Sequence, residues 1–308
     1  MVISEIRTDI ETVEKNISLW KEINFASRIA ALDFLEFHVI DRLDGLCQQA
    51  NPPAELLALQ QAAEQLKNQL EAIDIALFRR LREAIRQGRC SGAALLHLID
   101  TYVGRCSGGR QAQQQIGYDN LDLFTNSLFD GQTLPQETIE REPQMVHYQK
   151  TPARVILDLI ERAQFTEKDV FYDLGSGLGQ VSLLVHLLSG VTANGVEVEP
   201  AYCAYANACA ADLNVPNVSF IQADARTANY ATGTVFFLYT PFEGQLLQDV
   251  LNRLRAESQR RHIRIFTYGP CTRPVSRQSW LTAIGQTGVG NELYKLAHFV
   301  SAPVVVGS

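Results

Sequence analysis

From residue 152 onward the chain alternates between amphipathic helical segments and short runs rich in β-branched and aromatic residues. That alternation limits the fold more than any other feature. "PARVILDLIERA" leads into "DVFYDL"; "GQVSLLVHLLSG" and "ANGVEV" follow, then "PAYCAYANACAADL", "VSFIQA", "TVFFLY", "EGQLLQDVLNRLRAES" and "IRIFTY". Parallel neighbours need a crossover between them, and the crossover helices cover both faces of the sheet they connect. The last pair, "WLTAIG" and "YKLAHFVS", has no helix between its members and predicts an antiparallel hairpin.

The first hundred residues have another period. Ile3, Ile6, Ile10, Val13, Ile17 and Trp20 recur at spacings of 3 and 4, predicting one packed helix. A second helix is expected over 25–47, ending before "NPP", which a helix interior would not carry. A third, over 54–87, repeats the pattern at Leu56, Leu59, Ala63, Leu66, Leu70, Ile73 and Leu77, and would be about 50 Å long. "AALLHLIDTYV" adds a shorter one. The short "NPP" connection favours antiparallel neighbours in an intramolecular bundle. A homodimer through these N-terminal helices is the alternative. Arg79, Arg80, Arg82 and Arg86 read as a solvated face, with docking of an acidic partner as the sharper reading. The polar stretch "GRCSGGRQAQQQ" reads as a linker. The expected organisation is a helical bundle domain at 1–110, a linker and lid segment at 111–150, and an α/β domain at 151–308.

A formal net charge of −7 argues against sequence-independent nucleic-acid binding, which rests on a basic surface. The six cysteines form no CxxC pair and no Cys/His cluster with zinc spacing, so no metal is expected. "MVISEIRTDIETVEK" lacks an apolar signal core, and no apolar run approaches the roughly 20 residues of a membrane span. The expectation is a cytoplasmic chain with reduced thiols.

Within this frame "FYDLGSGLGQ" stands where the first strand hands over to a helix. In such sheets ligands bind beyond the carboxyl ends of the strands, at the switch in strand order. Gly175, Gly177 and Gly179 let the backbone bend tightly and approach a ligand. The third glycine of a dinucleotide fingerprint is replaced by Gln180, and Asp173 would repel a pyrophosphate. The turn therefore suits a ligand carrying positive charge. Glu197 follows Gly177 by about 20 residues, the spacing of a carboxylate that accepts ribose hydroxyls. Glu199 shares its strand face and competes for the role, but Pro200 suits the start of a helix, leaving Glu199 at the cap. Asp224 ends the third strand, where a carboxylate can accept an adenine amino group.

Asp173, the glycine turn, Glu197 and Asp224 together resemble the cofactor motifs of class I S-adenosylmethionine-dependent methyltransferases, over about residues 145–300. The resemblance implies a Rossmann-like α/β fold with a seven-stranded sheet in the order 3-2-1-4-5-7-6, here behind an all-helical N-terminal domain. It implies S-adenosylmethionine as cofactor and S-adenosylhomocysteine as product, the glycine turn meeting the methionine part, Glu197 the ribose and Asp224 the adenine. Within the class, "DLGSGLGQVSL" and "HYQKTP" are similar to the non-SET histone-lysine methyltransferases of the disruptor-of-telomeric-silencing type. By that likeness Tyr148, Thr151 and Gln180 would also touch the cofactor. Thr151 has a second reading, as cap of the helix that begins at Pro152.

At the fourth strand the chain departs from that type. "LYTPF" replaces its asparagine-containing motif, and only the second half resembles the Asn-Pro-Pro-Tyr element of amino methyltransferases. Tyr239, Thr240 and Phe242 are the candidates for the acceptor channel, with core packing the alternative for the two aromatics. His186 reads as a packing residue. His147 lies on the lid segment, where it is placed to take part in acceptor deprotonation. Tyr118 and Asp119 are candidates to cover the site. The expected reaction is N-methylation of a protein lysine or another amine. Small-molecule N- or O-methylation and an inactive cofactor-binding scaffold are the alternatives.

Overall fold

The computed structural model describes residues 2–48, 51–104, 119–129, 133–285 and 294–302. Most of the polar linker, Cys106 and Tyr118 lie outside them. The chain divides into two compact units, Met1–Glu83 with His97–Gly109, and Ala84–Leu96 with Arg110–Ser308.

The first unit is helical, and the end of its fourth helix and the start of its fifth, within Ala84–Leu96, are counted with the second. Helix α1 spans Val2–Lys15, α2 spans Phe25–Phe34 and passes through a π-helical turn, Leu35–Ile40, into α3, Asp41–Cys47; α4 spans Ala54–Arg86 and α5 Gly92–Tyr102. Ile6, Ile10, Val13, Leu35, Leu43, Leu56, Ala63, Leu66 and Leu70 bury one another in a shared core. The 3–4 seam of α4 is thus used within the bundle. The expectation of a single helix reaching Trp20 fails: α1 stops at Lys15, and Ile17 and Trp20 are 77% and 39% exposed. Asn16 breaks the pattern, because its side-chain carbonyl accepts from the Ser18 amide and hydroxyl and so competes with the helix. The turn that follows is held by Arg28, which is fully buried. Its guanidinium donates to Asp74 of α4 and to the carbonyls of Leu19, Lys21 and Glu22. Arg80 is exposed, in keeping with the solvated-face reading, and pairs there with Glu22.

The second unit carries a seven-stranded sheet. Its strands are β1 Val170–Leu174, β2 Thr192–Glu197, β3 Val218–Gln222, β4 Val235–Tyr239, β5 Arg264–Tyr268, β6 Leu281–Ile284 and β7 Ala297–Ser301. The order is β3-β2-β1-β4-β5-β7-β6, as expected. The first five strands are parallel, and β7 runs antiparallel to both β5 and β6. Helices α7 (Ala153–Ala163), α8 (Gln180–Ser189), α9 (Pro200–Asp212) and α10 (Gly244–Ser258) accompany it. Phe171, Phe236, Phe237, Phe266 and Phe299 are fully buried, which is how strands covered on both faces bury their side chains.

Two helices have no counterpart in the sequence reading: α6, Asn120–Phe129, and the short α11, Thr272–Ser276. In "NLDLFTNSLF" the apolar Leu121, Phe124 and Leu128 do recur at spacings of 3 and 4, but they are interleaved with weak helix formers. The packing of α6 has a local purpose. Buried Asp122 accepts from the Ala153 amide at 2.7 Å and so serves the start of α7. Thr151 does not: Pro152 is the N-cap residue and no side chain of its own caps the helix.

The register sets Asp173 of β1 opposite Gly195 of β2 and Phe237 of β4. After β1 the chain builds β2 and β3 on one side and then crosses to β4 on the other. The crevice at that switch is where an α/β sheet offers a site.

Candidate active site

The glycine turn is tight because three successive alternate residues take positive φ: Gly175 at 78°, Gly177 at 51° and Gly179 at 86°. A Cβ at Gly175 would sit 2.3 Å from the Pro241 side chain, and one at Gly177 only 2.1 Å from the ring of Tyr148. Gly175 lines the crevice, and Gly177 lies against the ring of Tyr148. Gly179 does something else. A Cβ there would strike Phe220 at 2.5 Å and Ala206 at 2.8 Å, so this glycine allows α8 to approach the sheet.

Below the turn, Asp173 is buried, and its carboxyl is pushed up to about 8 by burial and then by the charge of Glu197. Glu197 is also raised, again by burial. Its two oxygens accept from the Gly177 amide at 2.7 Å and the Glu199 amide at 2.9 Å, which ties the end of β2 to the glycine turn. Glu199 is the N-cap of α9, accepting from the Ala201 amide, and Pro200 occupies the first helical turn. It has a second task. Its oxygens also accept from the Thr138 amide and hydroxyl and the Ile139 amide. Although burial acts to raise it, these hydrogen bonds hold Glu199 below the ordinary carboxylate range. Its hydrogen-bonding capacity is thus largely spent on the protein.

Asp224, beyond β3, is gripped by Arg226. The guanidinium Nε lies 3.0 and 2.9 Å from its two oxygens and Nη2 lies 2.5 Å from the second. This hydrogen bonding keeps Asp224 below its usual range and therefore ionised. Arg226 also reaches Glu142 at 2.7 Å.

Glu142 belongs to residues 133–149, which cross the strand ends as a strap. Val146 donates to the Pro241 carbonyl, Glu243 donates to that of Gln144, and Met145 forms a β-bridge with Phe242. The Gln144 side chain accepts from the Leu246 amide at 2.9 Å, and so caps α10 from outside. Tyr148 packs against Tyr202 with ring centroids 5.5 Å apart. Strap and strand ends border an open cleft lined by Tyr148, Gly175, Glu197, Asp224, Tyr239, Thr240 and Phe242 among others. Thr151, Asp173, Gly177, Gly179 and Gln180 lie outside this lining. Thr151, Asp173 and Gln180 are all buried.

At the fourth strand Tyr239 is half-buried, and its hydroxyl donates to the Gln149 side chain at 3.3 Å. Its ring lies 5.1 Å from that of Tyr268, which is 5.8 Å from Tyr294. Thr240 has φ 36°, and its hydroxyl donates to the Tyr268 carbonyl and accepts from the Cys271 amide, both at 3.3 Å. Those bonds hold the β4 and β5 loops together, while Thr240 still lines the cleft. Phe242, only 5% exposed, belongs to the hydrophobic core as well as to the cleft wall. His186 is held by the Val191 carbonyl at 2.7 Å, a packing role as read, and His147 is exposed on the strap. Asp119 ion-pairs with Arg154 instead of covering the cleft.

The strap contacts were beyond the sequence reading. Glu137, Arg141, Tyr202 and Arg226 had no motif to mark them, and only the acidic ends of the strands could have hinted that a cation would be supplied nearby.

The residues fit S-adenosylmethionine on observations independent of the motif. Gln180 is 6% exposed and, among the described residues, neither of its amide atoms has a partner; the same holds for the Ser176 hydroxyl. Buried polar groups rarely stay unpaired without reason. A raised acid beneath the turn, an acid at the end of β2 and an ionised acid beyond β3 form an acceptor set for a ligand with a cationic end and a donor-rich end.

Residues 144–254 match the family described as "Histone methylation protein DOT1". No curated protein matches the chain. Among solved structures, an RNA methyltransferase from Salinibacter ruber in complex with S-adenosyl-L-homocysteine is 22% identical, covering 52% of this chain and 96% of its own, with a TM-score of 0.39. The ribosomal protein L11 methylase from Lactobacillus delbrueckii subsp. bulgaricus is 13% identical, covering 49% and 78%, with a TM-score of 0.36. Magnesium protoporphyrin IX methyltransferase from Synechocystis with bound S-adenosylmethionine is 12% identical, covering 49% and 77%, with a TM-score of 0.37. At these values they say nothing of what this chain methylates. With the sheet order, the set of acidic acceptors and the family match in hand, the chain is an S-adenosylmethionine-dependent methyltransferase that resembles the DOT1 type over residues 144–254.

Proposed function

We propose that the chain methylates an amine, with a protein lysine as the acceptor class. The observation that carries this reading is the aromatic lining of the cleft, where half-buried Tyr239 stands with Tyr148, Tyr202 and Phe242. Aromatic faces attract cationic groups, and the attraction grows as water is excluded.

Asp173 would meet the cationic end of the cofactor, Glu197 the ribose hydroxyls and Asp224 the adenine amino group, with Gly175, Gly177 and Tyr148 shaping the wall and Gln180 and Thr151 reached from beneath. When bound, the cofactor supplies the electrophilic methyl group. The residues of the chain then have alignment and desolvation to provide. A lysine, with an ordinary pKa of about 10.4, must lose its proton before it attacks. Burial against the tyrosine wall beside a cation lowers that pKa, and the proton leaves through the open side of the cleft. Residues 1–110 would act as a separate helical domain, with 111–150 as linker and lid. A small amine is the second reading, favoured by the strap that Glu199 holds at Thr138 and Ile139.

The test is transfer of tritiated methyl from S-adenosylmethionine into a fractionated lysate, followed by acid hydrolysis. Label recovered as methyl-lysine is the expected result. Label confined to metabolites, or lost on mild base as an ester, would overturn the lysine reading.

A further inference from the structure

Arg226 is not a motif residue, yet it links an acid of the cleft wall to the strap. On one side it holds both oxygens of Asp224. On the other it reaches Glu142 of the strap, only two residues before Gln144, which caps α10. We propose that Arg226 is a positioning residue that orients the adenine-facing acid and couples occupation of the adenine pocket to closure of the strap. The proposal rests on Asp224 being the adenine acid.

The argument is one of geometry and graded strength. A two-point guanidinium–carboxylate contact fixes the plane of the carboxylate as well as its charge. The side chains of Asp224 and Arg226 are 29% and 31% exposed, so solvent screens their pair only in part. The Glu142 side chain is 49% exposed and makes a single contact, which is the regime where ion pairs contribute least. The contact nearer the pocket is therefore the firm one, and the contact to the strap is the one that can open. A base seated against Asp224 restrains that carboxylate, and with it the guanidinium that faces Glu142. The strap residues that follow, 144–146, pair with the loop after β4 through the Val146 and Glu243 amides. Restraint at Glu142 is thus carried toward the acceptor mouth.

The experiment compares the full chain with Arg226→Gln, Glu142→Gln and Asp224→Asn. It measures binding of S-adenosylhomocysteine and of its inosine analogue, which lacks the amino group. It also follows hydrogen exchange at the Val146 and Glu243 amides, with and without ligand. The wild type should prefer the adenine ligand, and the ligand should slow exchange at both amides. R226Q should lose about tenfold in preference, the effect of one charge-assisted hydrogen bond, and lose the ligand-induced slowing. E142Q leaves the Asp224 contact intact, so it should keep the preference and lose only the slowing, which keeps the test decisive if R226Q fails to fold. Slowing that persists in E142Q or R226Q overturns the coupling. Unchanged preference in R226Q overturns the positioning role. Unchanged preference in D224N would remove the adenine assignment itself, a distinct failure.

Discussion

Asp173 lies buried beside Glu197 at the end of β1, with its carboxyl raised from 3.8 to about 8. At pH 7 only about one molecule in ten would carry the charge there, and producing it costs about 1.4 kcal/mol. If a cationic ligand needs that charge, binding releases a proton from the Asp173–Glu197 pair. Affinity for S-adenosylmethionine should then rise by about tenfold per pH unit below pH 8 and level off above it. Calorimetry at pH 7 in two buffers of different ionisation enthalpy counts the protons, and the expected value is close to one released per ligand. Asp173→Asn should abolish both the release and the slope while weakening binding. Its effect on the free protein should have the opposite sign. A group raised on folding contributes stability that is complete below the unfolded pKa and lost as pH rises through the folded one. The asparagine variant should therefore melt above the wild type at pH 8.5, with the difference shrinking toward pH 5. Affinity flat from pH 6 to 8, together with a buffer-independent enthalpy, would refute the reasoning.

Other outcomes follow from single contacts. Glu197→Ala strips two amides of their acceptor, costing about 1–3 kcal/mol of stability, and should weaken cofactor binding by about a hundredfold or more in calorimetry; unchanged affinity would remove the ribose assignment. Gly177→Ala places a Cβ 2.1 Å from the Tyr148 ring at positive φ, so the fold should survive a cost of about 1–2 kcal/mol while cofactor affinity falls more than the melting temperature does. His298, stacked on Phe266 at 4.2 Å, is lowered to about 4 by burial and then by Arg264, Arg162 and His262. Its contribution is present above pH 6.5 and lost as pH falls toward 4, so His298→Phe should flatten the acid limb of a urea-stability profile across that window.

Much of the second unit could be read in the sequence, because a parallel sheet leaves two periodic signals, strand and helix, in strict alternation. The glycine turn and the strand-end acids were readable for a similar reason: their geometry is fixed by neighbours close in sequence. Gly179 was legible as a glycine but not as a packing residue, since its constraint comes from Phe220 on another strand. The bond from the Thr240 hydroxyl to the Tyr268 carbonyl was likewise illegible, since it reaches across to another strand. The strap was hidden because its contacts, Thr138 to Glu199 and Glu142 to Arg226, join residues far apart in the chain and follow no period. In the bundle, periodicity over-extended α1 because Ile17 and Trp20 kept the spacing after Asn16 had already turned the backbone.

The two caps supplied from upstream have a practical corollary for anyone cutting the chain. A fragment starting at residue 151 would leave the Ala153 amide without Asp122 and the Leu246 amide without Gln144. It would also strip Pro241–Glu243 of the residues that pair with them. The smallest piece expected to fold by itself thus begins ahead of Asn120, some thirty residues before the first motif that marks the domain.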